Sequence, residues 1–203
     1  MSTSTTDRPL AVVTGASSGI GYELAAQFTE HGYDVVVAAE DPGIATAARN
    51  LHRDGGPEAY PVRVDLATPD GVEQLARAVT ELGRPVDALA LNAGRGAGGD
   101  FVGGTDLDDE LKDSGVTVTS LMPGPTDTEF FDRAEMEDTR VGQGKKDDPR
   151  AVAEDAFEAF MKGEHKVAAG SFMNKVQTAA GKIVPDRLKA EQHRKMAEPG
   201  SGG

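Results

Sequence analysis

A glycine-rich turn near the start of the chain restricts the fold more than any other feature. The apolar run from Leu10 to Thr14 leads into the segment TGASSGIG, which carries Gly15, Gly19 and Gly21. Apolar residues then recur at helical spacing from Ile20 to His31. A strand that passes through bare glycine backbone into a helix lets a pyrophosphate approach the positive N-terminus of that helix. The segment therefore predicts a dinucleotide-binding turn.

The alternation of strand and helix continues along the N-terminal half. Strands are predicted at 10–14, 35–37, 60–66, 86–91, 116–122 and 166–169, and helices at 20–31, 44–51, 72–82 and 149–161. This order predicts a Rossmann-like doubly wound parallel sheet in three α/β/α layers, formed by a single domain over residues 9–190. Residues 1–8 and the tail 191–203 are expected to be flexible, and the Gly- and Asp-rich segment 94–115 to be irregular.

Composition excludes several classes of partner. The chain has 34 Asp and Glu against 21 Lys and Arg, and its net charge of -13 disfavours nucleic acid and anionic membrane surfaces. It has no cysteine, and its four histidines never stand at metal-ligand spacing, so neither a disulfide nor a metal site is expected. The polar N-terminus and the lack of a long apolar window favour a cytoplasmic protein with no membrane contact.

Three further segments follow the glycine turn. Asp65-Leu66 comes after the third predicted strand, Asn92-Ala93-Gly94 after the fourth, and Pro123-Gly124-Pro125-Thr126-Asp127-Thr128 after the fifth. In this order the four segments resemble the cofactor-binding motifs of the short-chain dehydrogenases/reductases. Each segment alone also has a structural interpretation, with Asp65 as a strand-end cap, Asn92 as a turn residue and Pro123-Gly124 as a plain turn.

The resemblance implies that the chain binds a nicotinamide dinucleotide. In the family, the acid that matches Asp65 contacts the adenine, and the backbone and threonine after Pro-Gly meet the nicotinamide carboxamide. The residues expected to contact the cofactor here are Gly15, Ser17, Ser18, Gly19, Ile20, Gly21, Glu40, Asp65, Leu66, Asn92, Ala93, Gly94, Pro123, Gly124, Thr126 and Thr128.

The residues after the second strand predict NAD as the cofactor, with NADP as the alternative. An acid at this position bonds the ribose 2'-hydroxyl of NAD, whereas a base accepts the 2'-phosphate of NADP. Here stand Ala39, Glu40 and Asp41, and two carboxylates without an arginine repel a phosphate. Ser18 also stands where NADP-preferring relatives often carry a base. Glu40 and Asp41 equally suit the cap of a helix that begins near Pro42.

The catalytic part of the family's sequence is missing. In the family a Tyr transfers the proton, a Lys four residues later assists it, and a Ser holds the carbonyl. No Tyr-x-x-x-Lys occurs here, because Tyr22, Tyr33 and Tyr60 lack the lysine. The family places two helices and a strand between Asn-Ala-Gly and Pro-Gly, but only 29 positions separate Gly94 from Pro123. The sequence therefore predicts an internal deletion with its junction near 111–112, a fold without the fifth strand and those two helices, and no catalytic residue.

Three functional hypotheses follow. The first is a pseudoenzyme-like remnant of an oxidoreductase that binds NAD(P) but is impaired or inactive. The second is a residually active dehydrogenase or reductase on an unassigned carbonyl or alcohol, because lost acid/base help costs about 100- to 10,000-fold in rate. The third is a deletion product without function. Since the family commonly associates through the two missing helices, its usual oligomer interface is expected to be lost.

Overall fold

The computed structural model describes residues 8–94, 116–128 and 146–170. The chain divides into two compact units, Met1–Gly94 and Arg95–Gly203. The prediction of one domain over residues 9–190 stays a prediction. The rest of the irregular segment after Gly94, the junction at 111–112, the tail 191–203 and residues 1–7 lie outside the described residues.

The first unit contains a parallel sheet and three described helices. Its strands are β1 (Leu10–Thr14), β2 (Asp34–Ala39), β3 (Ala59–Arg63) and β4 (Ala88–Ala90), and its helices are α1 (Gly19–Glu30), α2 (Ile44–Leu51) and α3 (Pro69–Glu81). The strand order is β3-β2-β1-β4, and every pair is parallel. After β3 the chain crosses back to the other side of β1, which is the doubly wound order that the sequence predicts.

Helices cover both faces of this sheet. On one face, Leu10, Val12 and Val36 form a buried cluster against which Leu75 and Val79 of α3 pack. The alternate strand residues point to the opposite face and are equally buried, and α1 and α2 contact β1 and β2. The near-continuous apolar runs of β1 and β2 are explained by this cover on both sides. Each fully buried valine or leucine contributes roughly 1.5 to 3 kcal/mol.

A buried carboxylate joins the amino ends of the strands. Asp34 is fully buried at the start of β2. Its Oδ2 accepts a hydrogen bond from Arg84 Nη1 at 2.7 Å, its Oδ1 accepts from the Glu58 backbone N–H at 2.8 Å, and Arg8 Nη1 lies 3.8 Å from Oδ1. Arg84 Nη2 also donates to the Arg8 carbonyl at 2.6 Å. The buried charge is tolerated because it has both ion-pair partners and a backbone donor.

The described part of the second unit contains a two-stranded parallel sheet and a helix. Strands β5 (Ser120–Pro123) and β6 (Lys166–Ala169) pair with each other, and helix α4 (Pro149–Met161) contacts β6. The helix begins where predicted because the Asp148 carboxylate accepts a hydrogen bond from the Arg150 backbone N–H at 3.0 Å and Pro149 occupies the first helical position. No helix within the described ranges is long and apolar enough to cross a bilayer.

Some predicted element boundaries are wrong by a few residues. The strand predicted at 60–66 ends at Arg63, because Asp65 and Thr68 form the turn that precedes α3. That helix begins at Pro69 and not at Val72, since the Thr68 hydroxyl caps it by accepting from the Gly71 backbone N–H at 3.1 Å. The predicted strands at 86–91 and 116–122 are also shorter or shifted, as β4 and β5 show.

Candidate functional site

The glycine turn has the backbone geometry that its sequence predicts. Gly15 and Gly19 have φ angles of 64° and 60°, in the left-handed region that favours glycine. A Cβ at Gly15 would lie 3.0 Å from the Ala93 Cα and from Asn92 Nδ2. A Cβ at Gly21 would collide with the Gly15 carbonyl oxygen and with Asn92 Nδ2. The turn is therefore compact, and its glycines cannot be replaced without displacing backbone.

Thr14 and Asn92 hold this turn against the end of β4. The Thr14 hydroxyl accepts hydrogen bonds from the backbone N–H groups of Asn92 and Ala93, both at 3.0 Å, and donates to the Ala90 carbonyl at 3.4 Å. Asn92 Nδ2 donates to the carbonyls of Thr14 at 3.2 Å and Gly15 at 3.3 Å. These bonds connect the carboxyl ends of two neighbouring strands. The Asn-Ala-Gly segment thus supports the glycine turn directly.

The N-terminus of α1 is suited to an anion. Ser18 is the N-cap residue, in extended backbone conformation, and its side chain makes no capping hydrogen bond to the helix. The first turn of α1 contains no acidic residue that would offset the positive end of the helix dipole. Ser17, Gly19 and Ile20, which the sequence predicts as contacts, are partly buried in the same turn. Backbone N–H groups and a helix dipole together form a site for a phosphate.

Glu40 and Asp41 take different roles at the end of β2. The Asp41 Oδ1 accepts a hydrogen bond from the Gly43 backbone N–H at 2.8 Å, and α2 begins at Ile44 rather than near Pro42. The N-cap residue of this helix is Gly43 and no side chain caps it, so the Asp41 bond forms a turn just before the helix. The Glu40 carbonyl instead accepts from Arg63 Nε at 3.0 Å.

Arg63 was missed in the interpretation of the sequence. It belongs to β3 and pairs in register with Ala39, so the sheet brings it beside the acid that follows β2. The residues at the end of β2, Ala39, Glu40 and Asp41, include no base, so the local sequence gives no sign of the arginine. The signal that would have found the arginine is the strand register, since in a parallel sheet the carboxyl ends of neighbouring strands lie side by side.

Asp65 forms hydrogen bonds at the end of β3, in the structural role that the sequence allows as an alternative to an adenine contact. Its Oδ1 accepts a hydrogen bond from the Ala67 backbone N–H at 2.9 Å, and its carbonyl accepts from the Thr68 hydroxyl at 2.9 Å. The adenine contact predicted for Asp65 and the neighbouring Leu66 stays a prediction, and the two roles are compatible because a carboxylate has several acceptor sites. Gly94, the last predicted contact of the first unit, is exposed.

The Pro-Gly segment belongs to the second unit. Thr126 is buried, and its hydroxyl donates to the Gly124 carbonyl at 2.9 Å. The Asp147 backbone holds the segment on the other side, donating to the Pro125 carbonyl at 2.7 Å and accepting from the Asp127 N–H at 2.8 Å. Pro123 ends β5, and Thr128 is partly buried. The contact predicted between these residues and a carboxamide stays a prediction.

Tyr60 does not have the environment of a proton donor. Tyr60 packs against the core cluster on β3, and its pKa is raised, chiefly by burial and then by the Asp34 carboxylate. A tyrosine that transfers protons near neutral pH needs a lowered pKa instead. Tyr33 packs edge-on against Phe28 with 5.2 Å between ring centroids, and Tyr22 lies within α1.

Comparison with known proteins identifies this architecture. The model of the short chain dehydrogenase family matches residues 9–105, a range that contains the glycine turn, Asp65 and Asn92-Ala93-Gly94. Residues 9–105 belong to the short-chain dehydrogenase family. Among curated relatives, the cis-4-hydroxycyclohexanecarboxylate dehydrogenase of Sinomonas cyclohexanicum is 44% identical over 86 residues, which cover 42% of this chain and 34% of that protein. The chain spans about a third of the length of the curated relatives it matches.

Two solved structures show the same fold. A short chain dehydrogenase/reductase from Burkholderia phymatum in complex with NAD aligns with a TM-score of 0.70 and 18% identity, covering 97% of this chain and 99% of that one. A variant of actinorhodin polyketide ketoreductase with NADPH aligns with a TM-score of 0.60 and 25% identity, covering 79% and 91%. The predicted Rossmann-like α/β class is confirmed.

Proposed function

We propose that this short-chain dehydrogenase binds NAD(P) through its N-terminal half and is catalytically impaired or inactive. The observation that carries the first part is the glycine turn, where bare backbone meets a helix N-terminus without an acidic first turn. Thr14 and Asn92 hold this turn in place before any ligand arrives. The NAD and NADPH complexes of the family members support the proposal.

The residues present fit a nicotinamide dinucleotide. A side chain at Gly21 would fill the space beside the Gly15 carbonyl, so the turn admits only bare backbone there. We assign the pyrophosphate to the backbone between Gly15 and Gly21, the adenosine ribose to Glu40, and the adenine to the Asp65 turn. When bound, the cofactor supplies a hydride donor or acceptor.

The proposed impairment rests on what the sequence lacks. There is no Tyr-x-x-x-Lys pair, and burial makes Tyr60 a weaker acid than a free tyrosine. We attribute the loss to an internal deletion near 111–112, which would also remove the family's usual oligomer interface. Losing acid/base assistance costs about 100- to 10,000-fold in rate. The cytoplasmic location stays a prediction.

The test is a titration of the purified chain with NADH, followed by nicotinamide fluorescence. We expect saturable binding that Ser18→Asp weakens by at least about tenfold, because the new carboxylate lies beside the assigned pyrophosphate. Helix α1 should be kept in this variant, since Asp is a preferred N-cap residue and favours the helix dipole. The matched control is Gln74→Glu on the exposed side of α3, which adds the same charge away from the turn.

The outcomes separate binding from activity. If the wild-type chain shows no saturable binding, the proposal is wrong. If Gln74→Glu weakens binding as much as Ser18→Asp does, the effect is one of net charge and the assigned site is wrong. NADH oxidation with a panel of carbonyl compounds then tests the impairment. A rate within tenfold of that of a typical enzyme, about 10 per second, would contradict it.

A further inference from the structure

The sheet places a base beside the position that selects between the two cofactors. Arg63 is the last residue of β3, and its Nε donates to the Glu40 carbonyl at 3.0 Å. Glu40 follows β2 directly, at the position where the family distinguishes a ribose 2'-hydroxyl from a 2'-phosphate. The local sequence offers only carboxylates there, so the neighbouring strand changes the charge of this corner.

Most arginines of the described residues form an ion pair with a carboxylate: Arg8 and Arg84 with Asp34, Arg53 with Glu30, Arg77 with Glu73, and Arg150 with Glu154. Within those residues Arg63 and Arg49 are exposed and form no such pair. Arg49 donates to the Thr46 hydroxyl within α2, so only Arg63 of these two lies beside Glu40. A guanidinium has five N–H donors, and the Glu40 carbonyl takes only the one on Nε. The remaining donors and the charge are available to an anion.

The hydrogen bond to the Glu40 carbonyl also restricts the conformations of the Arg63 side chain. A free arginine loses considerable side-chain entropy when it binds a ligand, whereas one that is already tethered loses less. A carbonyl acceptor does not neutralise the positive charge. The geometry is therefore that of a positioned cation at the edge of the adenosine site.

We propose that Arg63 is a specificity-determining residue that binds the 2'-phosphate of NADP(H), so that the site accepts both cofactors. The proposal rests on the proposed function, because it concerns the same dinucleotide site. Glu40 accepts the ribose 2'-hydroxyl of NAD(H), and Arg63 offsets the repulsion that Glu40 and Asp41 exert on the phosphate. Guanidinium groups suit this role because their planar donors match phosphate oxygens.

The experiment compares NADPH and NADH titrations of the full chain and of Arg63→Gln. We expect the wild type to bind both cofactors, and Arg63→Gln to lose about tenfold or more in NADPH affinity while NADH affinity changes less than about twofold. Arg77→Gln is the matched control, since it removes the same charge from an exposed position on α3. It should leave the ratio of the two affinities unchanged.

Several results would overturn the assignment. If Arg63→Gln weakens both cofactors equally, the arginine acts by holding the Glu40 backbone and does not read the phosphate. If the wild type binds NADH but not NADPH, Arg63 does not offset the two carboxylates, although the proposed function stands. If the wild type binds neither cofactor, the proposed function fails together with this inference. An equal ratio change in Arg77→Gln would show a general charge effect instead.

Discussion

Strands β2 and β4 both pair with β1, yet helices cover them to very different degrees. Val35, Val36 and Val37 of β2 are at most 1% exposed, whereas Leu89 of β4 is 57% exposed. Leu89 lies opposite Val12 in the register, on the face that α3 covers at β1 and β2. Hydrogen bonding to a neighbouring strand therefore does not bury a strand. Burial of β1 and β2 comes from the helices that pack on them, whereas Leu89 is largely exposed.

This difference agrees with the proposed deletion. The family resemblance predicts two helices and a strand after the Asn-Ala-Gly segment, and the proposed deletion would remove them. Leu91, just beyond β4, is 69% exposed. A large apolar side chain that is left in water forfeits about 1.5 to 3 kcal/mol. Within the described residues, the side chains of β2 are thus buried, whereas Leu89 and Leu91 at the β4 edge are largely exposed.

The largest expected effect is on the free energy of unfolding. It contrasts a buried leucine of β1 with the exposed leucine of β4. Leu10→Ala should lower the free energy of unfolding by about 4 kcal/mol, because Leu10 is fully buried and its loss leaves a cavity. Leu89→Ala should lower it by less than about 0.5 kcal/mol. Urea denaturation followed by circular dichroism measures both. Comparable losses would break the comparison and show that Leu89 is covered in solution.

The next largest effect contrasts substitutions of two aspartates at the amino ends of the strands. Asp34→Asn should lower the free energy of unfolding by about 3 kcal/mol, since it leaves the partly buried guanidinium of Arg84 without its carboxylate. Asp87 is exposed before β4 and, among the described residues, accepts from the Leu10 backbone N–H at 2.8 Å, a bond that an asparagine oxygen can replace. Asp87→Asn should therefore cost less than about 1 kcal/mol. Equal unfolding free energies for the two variants would contradict this account.

The smallest effect concerns the hydrogen bonds of the Thr14 hydroxyl, which hold the end of β4 to β1. Thr14→Val should lower the free energy of unfolding by about 2 kcal/mol, because the N–H groups of Asn92 and Ala93 lose their acceptor. Thr29→Val is the control, since this buried hydroxyl only donates to the Ala26 carbonyl within α1. The same Thr14 variant should also weaken NADH binding several-fold, as measured by fluorescence. If its affinity for NADH is unchanged, Thr14 does not position the turn.

The parts of the fold that depend on neighbouring residues could be predicted from the sequence. The glycine turn, helix α1 and helix α4 follow from local rules, because positive φ angles, caps and helical periodicity involve residues a few positions apart. The predicted strands were less accurate at their ends. Strand β3 stops at Arg63 because the Asp65 turn competes for the following backbone.

The tertiary structure alone decided which of these local features meet. Thr14 and Asn92 are 78 residues apart, and Arg63 and Glu40 are 23 apart, yet parallel pairing brings each pair into hydrogen-bond contact. The sequence determined that a glycine turn joins a strand to a helix and that the Tyr-x-x-x-Lys pair is absent, because both are properties of short segments. The cation beside Glu40 and the exposure of Leu89 depend on strand register and helix packing, which a short segment does not encode.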